Sequence, residues 1–157
     1  MNTKKMFLAA LIGVIAVALL IAGSAAARSS ESTFDCEVVS YVTTDPGNWS
    51  FPDGNLHIRG MQQVAQSVCE DSRVVGHNYI TINANWDATM HGPMWGTFTF
   101  ESDSGGTWSG TWNGKMTSQG SWYNAVGVGG GEFAGLKLWM DKDFDQLTGR
   151  ILDPKGN

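Results

Sequence analysis

The sequence predicts an all-β protein built as a single antiparallel β-barrel of about eight strands. Apolar and polar residues alternate in short segments of residues 34–157, and a period of two is typical of a strand with one buried face. Stretches rich in Gly, Pro, Asp and Asn separate these segments. No segment combines a helical period with capping residues over the usual length of a helix. Many short strands separated by turns indicate a β-sandwich or a barrel.

The first 27 residues predict export from the cytoplasm. A basic start, MNTKK, precedes a charge-free apolar run over 6–23 and the small residues Ala25 to Ala27. This is the pattern of a signal peptide over 1–27, cleaved after Ala27. Left uncleaved, the apolar run is long enough to anchor the chain in a membrane. We expect a flexible leader over 28–33, a barrel domain over 34–157, and a secreted, periplasmic or other cell-envelope location.

The charge of the mature chain limits the kinds of partner that it can bind, and its cysteines bear on the compartment in which it folds. Without Lys4 and Lys5, eight basic residues face fifteen acidic ones, a net charge of −7, and no basic run is present. Binding to nucleic acid through a basic patch is therefore not expected. Cys36 and Cys69 are the two cysteines. In an oxidising compartment they are expected to form a disulfide, and the alternative is two buried thiols.

The first segments of the barrel domain are a strand, a loop and a longer stretch that resumes the alternation. FDCEVVSYV places Phe34, Cys36 and Val38 on one face and Tyr41 on the other. TTDPGNWSFPDGN is a loop by composition. LHIRG alternates again, and MQQVAQSVC fits either a strand or a short helix. Gly60 and the absence of a cap favour a strand.

The remaining segments carry the same alternation towards the C-terminus. In HNYITINANW, Ile80 and Ile82 oppose Tyr79 and Asn83, and in MWGTFTFES the phenylalanines oppose threonines. The following segments are GGTWSGTWNGK, SWYNAVGVG, GGEFAGLKLWM and DKDFDQLTGRIL, with GRIL as the expected last strand.

The stretch GGTWSGTWNGK carries a repeated pattern of tryptophan and glycine. On a strand, Trp108, Gly110, Trp112 and Gly114 share one face. Large and small side chains alternating on one face suit the interior of a small, curved barrel, where an indole covers the backbone of a neighbouring glycine. Two interpretations remain open: the tryptophans only shape the wall, or they also line a binding cavity.

The region from about Leu56 to Met140 also carries a family resemblance. It contains a glycine after Arg-Val-Val, then WGT, then GTWSGTWNGK, then VGVGGGEFAGLK. This pattern resembles small exported bacterial proteins, largely uncharacterised, and the allene oxide cyclase and dirigent barrels. The resemblance implies an eight-stranded barrel, assembly as a trimer and relatives that act on or hold hydrophobic small molecules. Phe133 stands where that family often has tyrosine. Avidin and lipocalin barrels, of the calycin type, are the alternative scaffold.

Three residues are candidates for catalysis. Cyclase-like or dirigent-like chemistry needs an apolar pocket, a carboxylate that moves a proton and a donor that polarises an oxygen. Glu132 is an isolated acid in the glycine-rich segment, and His57 and Arg59 share a strand face. The alternative is that Glu132 is an exposed turn residue and that the other two lie on the solvated side of the sheet.

Six residues are candidates for ligand binding, because aromatic and amide side chains orient small molecules in apolar cavities. They are Trp108, Trp112, Trp122, Tyr79, Tyr123 and Asn83. The alternative for each is packing in the core or at an edge.

Other kinds of site lack support in the sequence. It contains no GxSxG motif for a nucleophilic serine, and its three histidines lack the spacing of a zinc site. The acidic run starting at Asp141 has Gln146 and Leu152 where a calcium loop has glycine and glutamate. We therefore expect no metal and no cofactor.

The sequence supports three hypotheses for function. The first is a non-catalytic exported barrel that binds a hydrophobic small molecule or a surface partner. The second is a cofactor-free enzyme of the isomerase, cyclase or dirigent kind. The third is a structural, oligomeric component of the cell envelope.

Overall fold

The computed structural model describes residues 29–144 and 146–156. The predicted signal peptide, 1–27, lies outside the described residues. Within them the chain forms nine β-strands and three short 3₁₀ turns, at 52–54, 72–74 and 131–133. The strands are β1 Ser30–Asp45, β2 Asn48–Ser50, β3 Leu56–Cys69, β4 Gly76–Trp86, β5 Gly92–Ser102, β6 Thr107–Thr117, β7 Gly120–Gly130, β8 Lys137–Asp143 and β9 Gln146–Asp153.

The strands form a closed antiparallel barrel, which confirms the predicted fold class. From β3 to β9 each strand pairs with the next one along the chain. The first strand closes the barrel, because its N-terminal part pairs with β9 and its C-terminal part pairs with β3. The short β2 pairs with β3 and lies outside the eight-stranded barrel. MQQVAQSVC belongs to β3, so the strand interpretation of that segment is confirmed.

The expected leader is part of the barrel. Ser30 to Thr33 pair in register with Asp153 to Arg150 of β9, so the prediction of a flexible leader over 28–33 is wrong for these four residues. Their polar composition hid the strand, which is held by backbone pairing with β9 and by polar contacts of Glu31 with Arg150 and of Ser32 with Arg73.

A β-bulge in the first strand corrects the predicted orientation of Tyr41. Val38 faces Ser67 on β3 and Ser40 faces Gln66, so Val39 is an extra residue. An extra residue reverses the alternation beyond it. Tyr41 therefore points into the barrel, whereas the period of two had placed it outside.

A second bulge, at Arg59 and Gly60, lies in β3 opposite Asn83. Gly60 has φ of +71°, which favours glycine. The Asn83 carboxamide oxygen accepts a hydrogen bond from the Gly60 N–H at 3.1 Å. The Arg59 guanidinium bonds the carbonyls of Ile58 and Ala84, and it lies 5.2 Å from the ring centroid of Trp95. These contacts fix the bulge from the outer face.

The disulfide between Cys36 and Cys69 is present, which confirms the predicted pairing. The two residues face each other directly across the seam between β1 and β3. The bond therefore joins the strands that close the barrel. A disulfide is consistent with an extracellular or periplasmic protein.

In the part of the chain that the structure describes, no helix has the length and apolar character needed to cross a membrane.

Candidate functional site

Both tryptophans of the GGTWSGTWNGK stretch point into the barrel. Trp108 and Trp112 are buried, whereas Ser109, Thr111 and Asn113 between and beyond them are exposed. The predicted alternation of large and small residues on one inner face is thus confirmed. The two indoles nevertheless have different surroundings.

Trp108 closes one end of the barrel. It has no exposed surface, and its indole N–H donates to the carbonyl oxygen of Arg73 at 2.8 Å. Its ring stacks on Phe133 with centroids 5.1 Å apart. The 3₁₀ turn that carries Arg73 also buries Val74. Trp108 therefore belongs to a packed floor.

Trp112 follows Trp108 on the same face of β6, lies further from the floor and lines an open space. Its strand partner on β5 is Gly96, and a Cβ atom on Gly96 would lie 2.9 Å from the indole nitrogen. Because glycine leaves this room, the indole N–H reaches the carbonyl oxygen of Thr81 on β4 at 3.3 Å. The other edge of the ring meets Tyr123, with centroids 5.8 Å apart. Trp112 therefore forms a wall of a cavity.

The cavity has a volume of about 310 Å³ and is partly open to solvent. This volume is at the lower end of the range of small-molecule pockets. Its lining is mostly apolar and combines aromatic rings with four methionines, which adapt easily to different shapes. The apolar lining includes Met61, Ile82, Met94, Phe98, Trp112, Met116, Ala125 and Met140.

A few polar groups interrupt the apolar lining. The Lys142 ammonium donates to the Ser121 hydroxyl at 3.0 Å. Burial raises the pKa of the Tyr123 phenol, and the Tyr41 phenol raises it further. Burial also raises the pKa of Tyr41. Both phenols therefore stay neutral well above neutral pH and keep their hydroxyl protons for hydrogen bonding.

Two polar side-chain atoms of the lining residues have almost no accessible surface and no hydrogen-bond partner among the described residues. They are the carboxamide oxygen Oδ1 of Asn78 and the indole nitrogen Nε1 of Trp86. In the part of the chain that the structure describes, no other buried side-chain nitrogen or oxygen lacks a partner.

The cavity contains two of the six predicted ligand-binding residues, Trp112 and Tyr123. Trp108 lies in the floor. Tyr79 is exposed on the outer face because its neighbour Ile80 points inwards. Asn83 holds the outer bulge.

Trp122, the sixth candidate, is also on the outside. Ser121 and Tyr123 on either side of it point inwards, so its own side chain points outwards. There the Lys115 ammonium lies 5.7 Å from its ring centroid. Strand alternation explains these positions. Tyr79, Asn83 and Trp122 therefore do not line the cavity.

The three candidate catalytic residues do not converge. His57 lies on the outer face of β3, opposite Ser50 of β2. Arg59 is engaged with the outer bulge. Glu132 is exposed in the 3₁₀ turn that carries Phe133, beside Gly105 at the closed end. The expected common pocket for these three side chains is therefore not found.

Sequence reasoning missed several residues of the cavity, although some carried a usable signal. Asn78 and Trp86 have the same parity on β4 as Ile80 and Ile82, so the alternation already placed them inside. Lys142 likewise follows Leu138 and Met140 on β8. A polar residue on an apolar strand face is the signal that was available. The sequence carried no such signal for Tyr41, because the bulge at Val39 reverses the orientation of its side chain.

No group of three or more histidine, cysteine, aspartate or glutamate side chains suited to a metal ion occurs within residues 29–144 and 146–156. Comparisons of the chain with family models, with curated proteins and with solved structures found no match. The resemblance to allene oxide cyclase and dirigent barrels therefore remains a prediction from the motifs, while the closed eight-stranded barrel is shown.

Proposed function

We propose that this protein is an exported, non-catalytic barrel that binds a small hydrophobic molecule in its central cavity. The observation that carries the proposal is the cavity of about 310 Å³ with its apolar lining. A barrel that served only as a scaffold gains stability by filling such space, because close packing maximises dispersion contacts. The small residue Ala125, the strand partner of Trp112 on β7, instead leaves room in the cavity.

The absence of convergent acid and base groups on the cavity supports binding over catalysis. No aspartate or glutamate is among the described residues that line it. The second hypothesis from the sequence required Glu132, His57 and Arg59 in one pocket, and these residues lie at separate places on the outside. The apolar lining suits a ligand retained mainly by the hydrophobic effect, at roughly 25 cal/mol per Å² of apolar surface buried.

Fluorescence of N-phenyl-1-naphthylamine, which increases in apolar surroundings, tests the proposal. The mature protein is expected to enhance it saturably. Ile80→Trp fills the cavity and is expected to weaken binding by at least about tenfold, a loss of roughly 1.4 kcal/mol.

Tyr79→Trp is the matched control, since this neighbouring residue faces outwards, and its affinity should stay within about twofold, under roughly 0.5 kcal/mol. Circular dichroism and thermal melting establish that both variants fold. Equal binding by a folded Ile80→Trp variant and the wild type would contradict a site inside the barrel.

A further inference from the structure

Two phenol side chains, those of Tyr41 and Tyr123, line the same cavity from different parts of the sheet. Tyr41 lies on β1 and Tyr123 on β7, and the strands β8 and β9 separate them in the order of the sheet. The two side chains therefore approach each other across the interior of the barrel. In keeping with this arrangement, the Tyr41 phenol raises the pKa of Tyr123 beyond the effect of burial.

The Tyr123 hydroxyl is accessible to a ligand. Its ring makes an edge contact with Trp112, with centroids 5.8 Å apart, which holds it at the cavity wall. No hydrogen bond joins the hydroxyl to another described residue, and its oxygen is not among the buried atoms that lack a partner. The oxygen therefore has accessible surface. Because the side chain points into the barrel, that surface faces the cavity.

The pair of phenols suits a ligand that accepts a hydrogen bond. Two hydroxyls hold two protons, so a bond from one phenol to the other leaves one O–H to donate. A phenol is also a better donor than acceptor, because its ring draws on the lone pairs of the oxygen. Elsewhere in the lining, the Asn78 carboxamide oxygen has almost no accessible surface, and the Ser121 oxygen already accepts from Lys142. A donor on the ligand would therefore find fewer partners than an acceptor.

The surroundings of Tyr123 favour a neutral acceptor over an anion. Burying a carboxylate costs far more free energy than burying a carbonyl group. Burial raises the pKa of both phenols, so they stay neutral and supply no compensating charge. The Lys142 ammonium is directed to Ser121, two residues nearer the end of β7 than Tyr123. The acidic mature chain also repels anions as a whole.

We propose that the cavity selects neutral apolar molecules that carry a carbonyl oxygen, which accepts a hydrogen bond from the Tyr123 O–H. The inference rests on the proposed function and adds the ligand class to it. Trp112 and Phe98 favour an aromatic ring beside the carbonyl group, and the methionine side chains adapt to its outline. Aromatic ketones are the simplest members of this class.

Two probes of nearly the same shape test the inference: 2-acetylnaphthalene, and 2-isopropenylnaphthalene, which has a CH₂ group in place of the carbonyl oxygen. Their affinities for the wild type and for Tyr123→Phe are measured by displacement of N-phenyl-1-naphthylamine and compared as a double-mutant cycle. Tyr123→Phe is expected to weaken 2-acetylnaphthalene about five- to tenfold, the effect of one hydrogen bond. The affinity for 2-isopropenylnaphthalene should stay within about twofold, since this probe accepts no such bond.

Tyr79→Phe is the matched control, because it removes the same hydroxyl from a tyrosine on the outer face of β4 and should change neither affinity. Thermal melting establishes that both variants fold. A second readout is the ¹³C NMR signal of bound 2-acetylnaphthalene labelled at the carbonyl carbon. A hydrogen bond to the oxygen moves this signal downfield. In the wild-type complex it should lie downfield of the signal in cyclohexane, a comparison that needs no variant, and downfield of the signal in the Tyr123→Phe complex.

The outcomes separate the two proposals. Equal weakening of both probes by Tyr123→Phe, or no weakening of either, overturns the inference about the ligand class and leaves cavity binding intact. A wild-type carbonyl signal that matches the one in cyclohexane overturns it as well. Tighter binding of 2-naphthoate than of 2-acetylnaphthalene would assign the cavity to anions and overturn the neutral class. Failure of N-phenyl-1-naphthylamine and of both probes to bind overturns the inference and the proposed function together.

Discussion

Replacement of Trp108 by alanine is expected to lower the free energy of unfolding by about 3–5 kcal/mol, the range for large aromatic side chains in cores. The indole is fully buried, stacks on Phe133 and donates to the Arg73 carbonyl. Alanine leaves a void in the packed floor and an unpaired carbonyl oxygen. Equilibrium denaturation in urea measures the change, with the midpoint shifted and the slope retained.

Trp112→Ala is the matched comparison, because it removes the same side chain from the same strand face. The space it leaves opens onto the existing cavity, so the loss of stability is expected to be smaller. Binding of N-phenyl-1-naphthylamine should weaken strongly in the folded Trp112→Ala variant. Equal losses of stability in the two variants, with binding unchanged in Trp112→Ala, would contradict the division into floor and cavity wall.

Removal of the disulfide is expected to lower the free energy of unfolding by about 3–4 kcal/mol, the chain-entropy value for a loop of this length. The bond spans a sequence separation of 33 residues. It also joins Cys36 and Cys69 where they face each other across the closing seam. In the Cys36→Ala/Cys69→Ala protein, only non-covalent contacts hold β1 against β3.

The measurement compares urea denaturation of the double variant with that of the oxidised wild type. Reduced wild-type protein is the control, since it lacks the bond but keeps the sulfur atoms, and it should resemble the double variant. A loss below about 1 kcal/mol would contradict a stabilising role for the bond, because the chain-entropy estimate is several times larger.

The inner face of most strands could be predicted from the sequence because alternation is a local property. Ile80 and Ile82, Phe98 and Phe100, and Trp108 and Trp112 all point inwards as their parity requires. The glycines that alternate with the tryptophans of GGTWSGTWNGK indicated curvature and close approach. Gly110 is an example, since a Cβ atom there would clash with the Val126 carbonyl.

Features that depend on long-range pairing could not be predicted in this way. Whether Val39 forms a bulge is decided by the register between β1 and β3, two strands separated by a loop. The same register determines that Tyr41 reaches the cavity. Ser30 to Thr33 become a strand only because β9, at the other end of the chain, provides their partner.

The candidate site was harder to predict than the fold because a cavity is shaped by residues from many strands. Tyr79 and Asn83 were chosen for their chemistry, although their parity, opposite to that of Ile80 and Ile82, already placed them outside. Parity gave no such signal for Trp122, because the apolar residues Val126 and Val128 share its outer face. Asn78 was overlooked although its parity placed it inside. Strand parity was therefore a better guide to this site than residue type.

The most direct test of the central claim is a methyl NMR titration of the folded protein with 2-naphthol. The claim is that the ligand enters the barrel. We expect the largest shifts in the methyl groups of Ile80, Ile82 and Ala125, which line the cavity. Val126 and Val128, exposed on the outer face of β7, are the internal control and should be almost unchanged. Shifts concentrated in these two valines, or no shifts at all, would contradict the claim.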